Sequence, residues 1–231
     1  MYSKKYVLKA KREIAEDIFS LKLAPEEGEG IPYTPGQFML LTLESGVKRA
    51  YSIASAPGKG ELEFAIKNVG GEFTSNLPKL KEGDKIGVDG PLGPLAYDTC
   101  NEFVLIAGGV GITPMLSILR DRDGKEECAN ATLFYSARTK AGLAYFEELV
   151  EIDSRNSNLK SVFTLTREKP DGWKYETGHV DAAMLRKYLT DFSKKKYFVC
   201  GPMRMVDSFR EILLKELGVP EENCTFEGWN V

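Results

Sequence analysis

The chain has 231 residues, 42% hydrophobic and 28% charged, which is typical of a globular protein with one large or two small domains. Its 31 basic and 34 acidic residues give a net charge of −3, which argues against nucleic acid as a main partner because phosphate neutralisation requires a basic face. Apolar runs such as FVLIAGGVGI are too short to span a bilayer, and the opening MYSKKYVLKAKREIAEDIF lacks a signal-peptide core, so we expect a cytoplasmic protein.

The first part of the chain predicts a small antiparallel β-barrel. Short alternating segments separated by turn residues predict strands at KYVLKAKREI, IFSLKLA, GQFMLLTLE, KRAYSIAS, LEFAIKNV and DKIGVDGP. The segment FTSNLPKL predicts a short helix, with Thr74 as its N-cap.

After about residue 98 the pattern changes to strands that alternate with helices. Strands are predicted at EFVLIAGG, ATLFYSAR, LKSVFTLTRE and KYFVCGP, and helices at ITPMLSILRDR, GLAYFEELVEID, DAAMLRKYLTDF and MRMVDSFREILLKELG, the last ending at Gly218. The closing NCTFEGWNV predicts a final strand or extended tail. This alternation indicates a doubly wound parallel sheet. The sequence therefore predicts two domains, a barrel over 1–98 and an α/β domain over 99–231, joined by LAYDTCNE.

Cysteine and histidine usage argues against a metal site. Cys100, Cys128, Cys200 and Cys224 include no C-x-x-C pair, so zinc and iron–sulfur sites lack their local ligand spacing, and we expect free thiols in a reducing compartment. A single histidine, His179, also argues against a Ser–His–Asp triad.

The turn GGVGIT is a candidate nucleotide site. Gly109 and Gly111 let the backbone approach a ligand, Thr113 can cap the following helix, and Pro114 suits its first turn. A helix start with bare N–H groups suits a dinucleotide pyrophosphate. The spacing is G-x-G-x-x-P rather than G-x-G-x-x-G. On this motif alone, a nucleotide site and a tight βα turn without a ligand are equally supported.

The ends of the following strands bear on the choice of nucleotide. An acid at the end of the second strand would suit NADH, whereas an arginine there suits a 2′-phosphate. Here Ser136 and Arg138 end the second strand and Arg167 follows the third. The pattern favours NADPH slightly, although arginines are also common in ordinary surface loops.

The segment VCGP places Cys200 at the end of a predicted parallel strand, where ligands bind in such folds. Cys200 can pack beside a nicotinamide ring, or it can be an ordinary buried cysteine.

The segment RAYSIASAP has an unusual composition for a strand. Arg49 offers a fork of donors to a phosphate, and Tyr51 faces the same side two residues later. With Ser52, they suit a flat aromatic cofactor that carries a phosphorylated tail. The turn and helix start in GGEFTSNL, with Gly71 and Thr74, suit a second phosphate. The alternative is an edge strand beside an ordinary capped helix.

The order R-x-Y-S, G-x-x-T, G-G-x-G-x-x-P and C-G-P, spread over nearly the whole chain, resembles the ferredoxin–NADP reductase superfamily. The resemblance implies a flavin domain before a nicotinamide nucleotide domain, with FAD more expected than FMN as cofactor and NAD(P)H as co-substrate.

The resemblance implies a flavin site at Arg49, Ala50, Tyr51 and Ser52, at Ala65, Ile66 and Lys67, and at Gly71, Thr74 and Ser75. Arg49 then binds flavin phosphate, Tyr51 stacks on the isoalloxazine, and Ser52 lies near N5.

It also implies a nucleotide site at Gly109, Gly111, Thr113, Cys200, Gly201 and Pro202, to which we add Pro114, Ser136, Arg138 and Arg167. We expect Ser52, Cys200, Glu227 and Trp229 to serve catalysis. Cys200 would shape the nicotinamide pocket, Ser52 and Glu227 would assist proton and charge balance, and Trp229 would cover the flavin. Two residues follow Trp229, whereas many relatives end on this aromatic.

The expected function is hydride transfer between NAD(P)H and FAD, with single electrons passed to a ferredoxin or flavodoxin. One alternative is a flavin electron-entry subunit of a hydrogenase- or dehydrogenase-type complex, and another is a flavin-binding module without turnover. The lysines at 194–196 suit docking of an acidic carrier, but a solvated loop is the favoured interpretation.

Overall fold

The structure, a computed structural model, describes residues 1–58, 60–94, 102–123, 125 and 130–229. The strands are β1 (Tyr2–Ala15), β2 (Ile18–Pro25), β3 (Phe38–Thr42), β4 (Lys48–Ser52), β5 (Leu62–Lys67), β6 (Lys85–Leu92), β7 (Phe103–Gly108), β8 (Ala131–Ala137), β9 (Leu159–Leu165), β10 (Glu176–Thr177), β11 (Lys196–Pro202) and β12 (Cys224–Trp229). The α-helices are α1 (Ile112–Arg122), α2 (Phe146–Arg155), α3 (Ala182–Tyr188) and α4 (Met203–Arg210). Short 3₁₀ helices span Thr74–Lys79, Gly109–Gly111, Lys140–Gly142, Phe192–Lys194 and Glu221–Asn223.

The first unit contains an antiparallel sheet in the order β4-β3-β6-β1-β2-β5. A bridge between Ile53 and Phe64 links the residues just after β4 to β5, so the two ends of the sheet meet. Its inward side chains form a continuous apolar core that includes Tyr6, Leu21 and Met39, all fully buried. The predicted β-barrel is confirmed.

The second unit contains a parallel sheet in the order β10-β9-β8-β7-β11-β12. β7 is buried along its whole length, as expected for a strand covered on both faces. The predicted doubly wound α/β domain is confirmed. The two-residue strand β10 was not predicted, because so short a segment has no hydrophobic periodicity.

Most of α1 groups with the barrel unit, since its residues from Thr113 to Arg122 pack there. Arg120 donates from Nη1 to Glu63 Oε2 at 2.8 Å and to a backbone carbonyl at 3.0 Å. Ser117 Oγ donates to the backbone oxygen of Ser55 at 2.6 Å. These bonds attach the helix to β5 and to the residues that directly follow β4.

Three helices differ from the sequence prediction, among them α3, which ends at Tyr188 rather than at Phe192 because Leu189 is extended. α2 begins at Phe146 rather than near Gly142, because Tyr145 adopts a left-handed conformation with φ of 58° and interrupts the helical path. α4 passes into a π-helix over Glu211–Glu216, and Gly218, with φ of 64°, follows its end as predicted.

Several predictions fall outside the described residues. Cys100, Cys128, the domain boundary at 98–99 and nearly all of the expected linker lie there, so the boundary stays a prediction. Among the described helices, none combines the length and the apolar character needed to cross a membrane.

Candidate functional site

The barrel strand β4 carries the R-A-Y-S residues on a sheet end that remains accessible. Arg49 and Ala50 are exposed, while Tyr51 and Ser52 are half-buried. The Tyr51 ring lies 4.9 Å from the Phe73 ring, with the planes inclined at 54°. Burial raises the pKa of Tyr51, although the positive charge of Arg49 opposes this shift, so the phenol keeps its proton.

Arg49 makes only loose contacts with the protein. Its Nη1 donates to the backbone oxygen of Lys48 at 2.7 Å, and its Nη2 lies 3.9 Å from Glu72 Oε2. Both charged side chains are more than half exposed, so this ion pair contributes little to stability. The guanidinium is therefore accessible to an anionic ligand.

The predicted strand segment beside the flavin lies in β5, which meets the residues after β4 at the Ile53–Phe64 bridge. Ala65 and Ile66 are buried, and Lys67 is exposed. Only their backbone atoms and the Lys67 side chain are therefore placed to contact a ligand.

The loop between β5 and the following 3₁₀ helix closes on the Thr74 hydroxyl. Thr74 Oγ1 accepts from the N–H of Gly71 at 3.0 Å and from that of Val69 at 3.3 Å. The predicted N-cap role of Thr74 is wrong, because the helix begins at Thr74 with Phe73 before it, and the hydroxyl bonds backward into the loop. Ser75 is exposed at the surface of this turn.

The backbone N–H groups of Glu72 and Phe73 have no hydrogen-bond acceptor within the described part of the chain. They lie in the glycine-initiated loop directly before Thr74. Unpaired N–H groups in such a loop suit an anion such as a phosphate.

In the α/β unit, Gly109–Gly111 form a 3₁₀ turn between β7 and α1. The predicted cap role of Thr113 is wrong, because α1 begins at Ile112 and Thr113 is a buried residue of its first turn. Pro114 lies in that turn, as predicted.

A Cβ atom on Gly111 would lie 2.2 Å from Cys200 O and 2.9 Å from the Trp229 ring. Only glycine fits this approach, which leaves the turn close to the end of β11.

Cys200 and Glu227 lie side by side on β11 and β12. They are paired in register, and Cys200 Sγ lies 3.9 Å from Glu227 Oε2. Burial raises the Cys200 pKa well above its ordinary value, and the neighbouring carboxylate raises it further. Burial also raises the pKa of Glu227, against the opposing effect of the thiol hydrogen bond. The thiol therefore keeps its proton, and the carboxyl group releases its proton at a higher pH than an ordinary glutamate.

Three glycines form a row across this edge of the sheet. Gly201 pairs with Gly228, and Gly108 continues the row on β7. A Cβ atom would lie 2.3 Å from Met205 Sδ at Gly108 and 2.9 Å from the same sulfur at Gly201. The start of α4, just after Pro202, therefore packs directly on the sheet backbone through a methionine sulfur.

Ser136, Arg138 and Arg167 lie at the carboxyl ends of β8 and β9. Ser136 pairs with Gly108, and the N–H of Arg167 donates to the backbone oxygen of Arg138 at 3.0 Å. Both arginines are exposed, and neither guanidinium has an ion-pair or hydrogen-bond partner among the described residues. Glu168, which follows Arg167, accepts from the backbone N–H of Lys140.

Sequence reasoning missed an aromatic cluster formed by β9, α2 and the segment that follows β9. Trp173 lies 4.9 Å from Tyr175 between ring centroids, and Tyr175 lies 5.1 Å from Phe163 and 5.7 Å from Phe146. Tyr175 is 38% exposed. Tyr175 follows the predicted third strand by seven residues, but the cluster depends on contacts between separate elements, which the sequence pattern does not show.

The three lysines at 194–196 make polar contacts with other residues of the same chain. Lys195 pairs with Glu102, and Lys196 Nζ donates to Asn223 Oδ1 at 2.7 Å. Lys194 lies 4.0 Å from Asp191. These contacts support the interpretation as an ordinary surface segment.

His179 lines an open pocket of about 450 Å³ between β10 and α3, together with Glu176, Asp181 and Lys187. None of the residues predicted to bind the cofactors lines this pocket. Among the described residues there is also no group of three or more His, Cys, Asp and Glu side chains arranged to hold a metal ion.

Comparison with known proteins identifies both halves of the chain. Residues 5–97 match the oxidoreductase FAD-binding domain, and residues 105–211 match the oxidoreductase NAD-binding domain. Ferredoxin–NADP reductase B of Sorangium cellulosum is 30% identical over 235 residues, which cover 96% of each chain.

Other relatives are longer than this chain. The reductase component of propane 2-monooxygenase from Mycolicibacterium smegmatis is 32% identical over 202 residues, covering 83% of this chain and 58% of that protein. Among solved structures, the ferredoxin reductase in carbazole 1,9a-dioxygenase is 27% identical with a TM-score of 0.85, covering 98% of this chain and 69% of that one. The chain spans about 58–60% of the length of several curated relatives.

Proposed function

The chain belongs to the ferredoxin reductase-like family of flavoprotein oxidoreductases, and on that premise we propose that it takes a hydride from NAD(P)H and delivers single electrons to a protein carrier. The observation that supports this most directly is the meeting of Gly111, Cys200 and Trp229 at the carboxyl edge of the parallel sheet. Bound FAD supplies the ring that accepts a hydride and releases electrons one at a time.

We propose that the barrel residues bind and orient the flavin. Arg49 binds the phosphate through its exposed guanidinium, and the N–H groups of Glu72 and Phe73 donate to the pyrophosphate. Tyr51 offers a neutral ring face, since its raised pKa keeps the phenol protonated. The Ser52 hydroxyl donates a hydrogen bond to a flavin ring nitrogen.

In the α/β unit, we propose that the glycine turn binds the nucleotide pyrophosphate and that Cys200 packs against the nicotinamide. The buried thiol is neutral, so it excludes water without adding charge. The Glu227 carboxyl keeps a proton to a higher pH than an ordinary glutamate, which suits a role in proton balance. Trp229 provides the aromatic surface that covers the flavin.

Arg138 and Arg167 support NADPH as the preferred donor. The two residues are joined by a backbone hydrogen bond, and both guanidinium groups lack a partner in the described structure, as a 2′-phosphate site requires. The exposed Tyr175 ring, eight residues after Arg167, offers a stacking surface for an adenine.

A ferredoxin or flavodoxin is the proposed acceptor, in line with the name of the Sorangium relative. A second candidate is the reductase component of a larger redox system. The names of the propane monooxygenase relative and the carbazole dioxygenase reductase favour it, as does the partial coverage of the longer relatives.

The test is an anaerobic visible spectrum of the purified chain before and after NADPH or NADH. We expect a flavin band that bleaches with either nucleotide, and faster with NADPH. A flavin band that neither donor bleaches would contradict the redox function and favour a binding module without turnover. No flavin binding, even with added FAD, would contradict the assignment of the barrel.

A further inference from the structure

Lys11 on β1 belongs to none of the predicted motifs, yet all three donors of its ammonium group bond to one short segment of backbone. Its Nζ donates to three backbone carbonyls, those of Leu77 at 3.0 Å, Pro78 at 2.8 Å and Leu80 at 2.7 Å. An ammonium group has three donors, so this side chain has none left for a ligand.

The three carbonyls end the short helix that follows the proposed pyrophosphate loop. This 3₁₀ helix spans Thr74–Lys79 and contains Pro78. Runs of this kind are rarely stable without outside contacts, and their last carbonyls lack partners within the helix. The oxygen of Leu77 also accepts from the Leu80 N–H at 3.3 Å, so the cation adds to that bond, supplies donors to the other two carbonyls and complements their partial negative charge.

The other contacts that join this segment to the rest of the barrel are apolar or lie at its opposite end; the remaining polar bonds at its carboxyl end, from Leu80 and Lys79, stay within the segment. Phe73 and Leu77 are buried in the barrel core, and Phe73 packs against Tyr51. Thr74 closes the loop before the helix through Gly71. Within the described structure, Lys11 is thus the polar anchor at the carboxyl end of the segment from 70 to 80.

We propose that Lys11 is a positioning residue for FAD, which holds the 70–80 segment so that its backbone N–H groups meet the pyrophosphate. The inference rests on the proposed flavin function and deepens it. Because Lys11 acts through the phosphate loop, its loss should weaken ligands that carry phosphate and spare those that lack it. Riboflavin carries the same ring without phosphate, so it separates this role from a general loss of stability.

The experiment compares the full chain, stripped of flavin, with Lys11→Met, which keeps the aliphatic stem and removes the three donors. Dissociation constants for FAD and riboflavin are measured by fluorescence titration, and thermal unfolding is followed without flavin. Lys4→Met is the matched control, since Lys4 lies on the same strand and donates to a single distant carbonyl, that of Glu29 at 2.7 Å.

We expect Lys11→Met to raise the FAD dissociation constant about tenfold, as loss of a charge-assisted bond would, and the riboflavin constant less than about twofold. Lys4→Met should change neither. Equal weakening of both ligands by Lys11→Met, or no change in either, would overturn the proposal. Should Lys11→Met fail to fold, Lys11→Gln gives the same comparison with the same outcomes. A wild-type chain that binds no FAD would overturn the proposed function and this inference with it. If the wild-type chain binds FAD normally but Lys11→Met affects FAD and riboflavin equally, only the inference is overturned.

Discussion

At the scale of single residues, the pair formed by Cys200 and Glu227 combines two acidic groups that both resist ionisation. Their side chains are 3.9 Å apart on neighbouring strands, and burial raises both pKa values. A charge on either group is poorly solvated there, so each group ionises at a higher pH than it does in water.

This pair predicts a pH-dependent stability that Glu227→Gln removes. The fold raises the Glu227 pKa above its ordinary value of 4.5, so the folded protein binds the proton more tightly than the unfolded chain. The stabilisation is complete below that ordinary value and is lost as the pH rises through the folded pKa. Urea unfolding at several pH values should show Glu227→Gln gaining stability over wild type as the pH rises. A difference that is constant with pH would contradict the shift.

Arg138 and Arg167 make a residue-scale prediction about nucleotide choice. Replacing both with alanine should lower kcat/KM for NADPH about tenfold or more, as expected for lost charge-assisted bonds, and leave that for NADH nearly unchanged. Arg186→Ala is the control, because this exposed arginine instead pairs with Glu216 at 3.1 Å. Equal losses with both nucleotides would contradict a 2′-phosphate site at these arginines.

At the scale of elements, the attachment of α1 to the barrel depends on a buried ion pair. Glu63 also accepts a hydrogen bond from Ser20 Oγ at 2.6 Å, and the side chains of Glu63 and Arg120 are only 9% and 19% exposed. Removing one partner of such a pair leaves a buried charge without compensation.

Arg120→Met should therefore lower the free energy of unfolding by about 3–5 kcal/mol, and Glu63→Gln together with Arg120→Met should cost less than the sum of the single changes. The measurement is chemical denaturation of the four proteins. Lys215→Met is the control, since its pair with Glu211 is exposed and contributes little. Additive losses would show that the two side chains are not energetically coupled.

The sequence predicts elements well where a period extends over many residues. All six barrel strands and the four long strands of the parallel sheet follow from their alternation and apolar runs. Local features decided by single conformations were missed, such as the left-handed Tyr145 that delays α2 and the backward bond of Thr74. Lys11 and Glu63 were also missed, because their partners lie 43 to 69 residues away in the sequence.

At the scale of the whole molecule, two folding units divide the proposed chemistry between a barrel and a parallel sheet. The motif order in the sequence predicted this division, because each motif belongs to one type of element. The exact domain boundary, in contrast, depends on residues outside the described ranges, and the assignment of Thr113–Arg122 to the barrel unit follows from tertiary contacts. Periodicity carries no information about such contacts.

This division predicts two separate footprints in hydrogen exchange. FAD should slow exchange in peptides covering 48–52 and 70–80, and NADP⁺ should slow exchange in peptides covering 109–114 and 136–138. Peptides from α3 serve as an internal control, since this helix lines a different pocket. FAD protection confined to the α/β unit would contradict the assignment of the two sites.

The glycine row beneath α4 has a consequence for oxidative damage. Met205 Sδ occupies the space that a Cβ atom would need at Gly108 and at Gly201, so the sulfur has little room on that side. Sulfoxide formation would add a polar oxygen to a contact that accepts only a bare thioether. A single oxygen atom on Met205 would then separate the start of α4 from the strand that ends in Cys200, so peroxide inactivation should follow the oxidation state of this methionine and be reversed by methionine sulfoxide reductase.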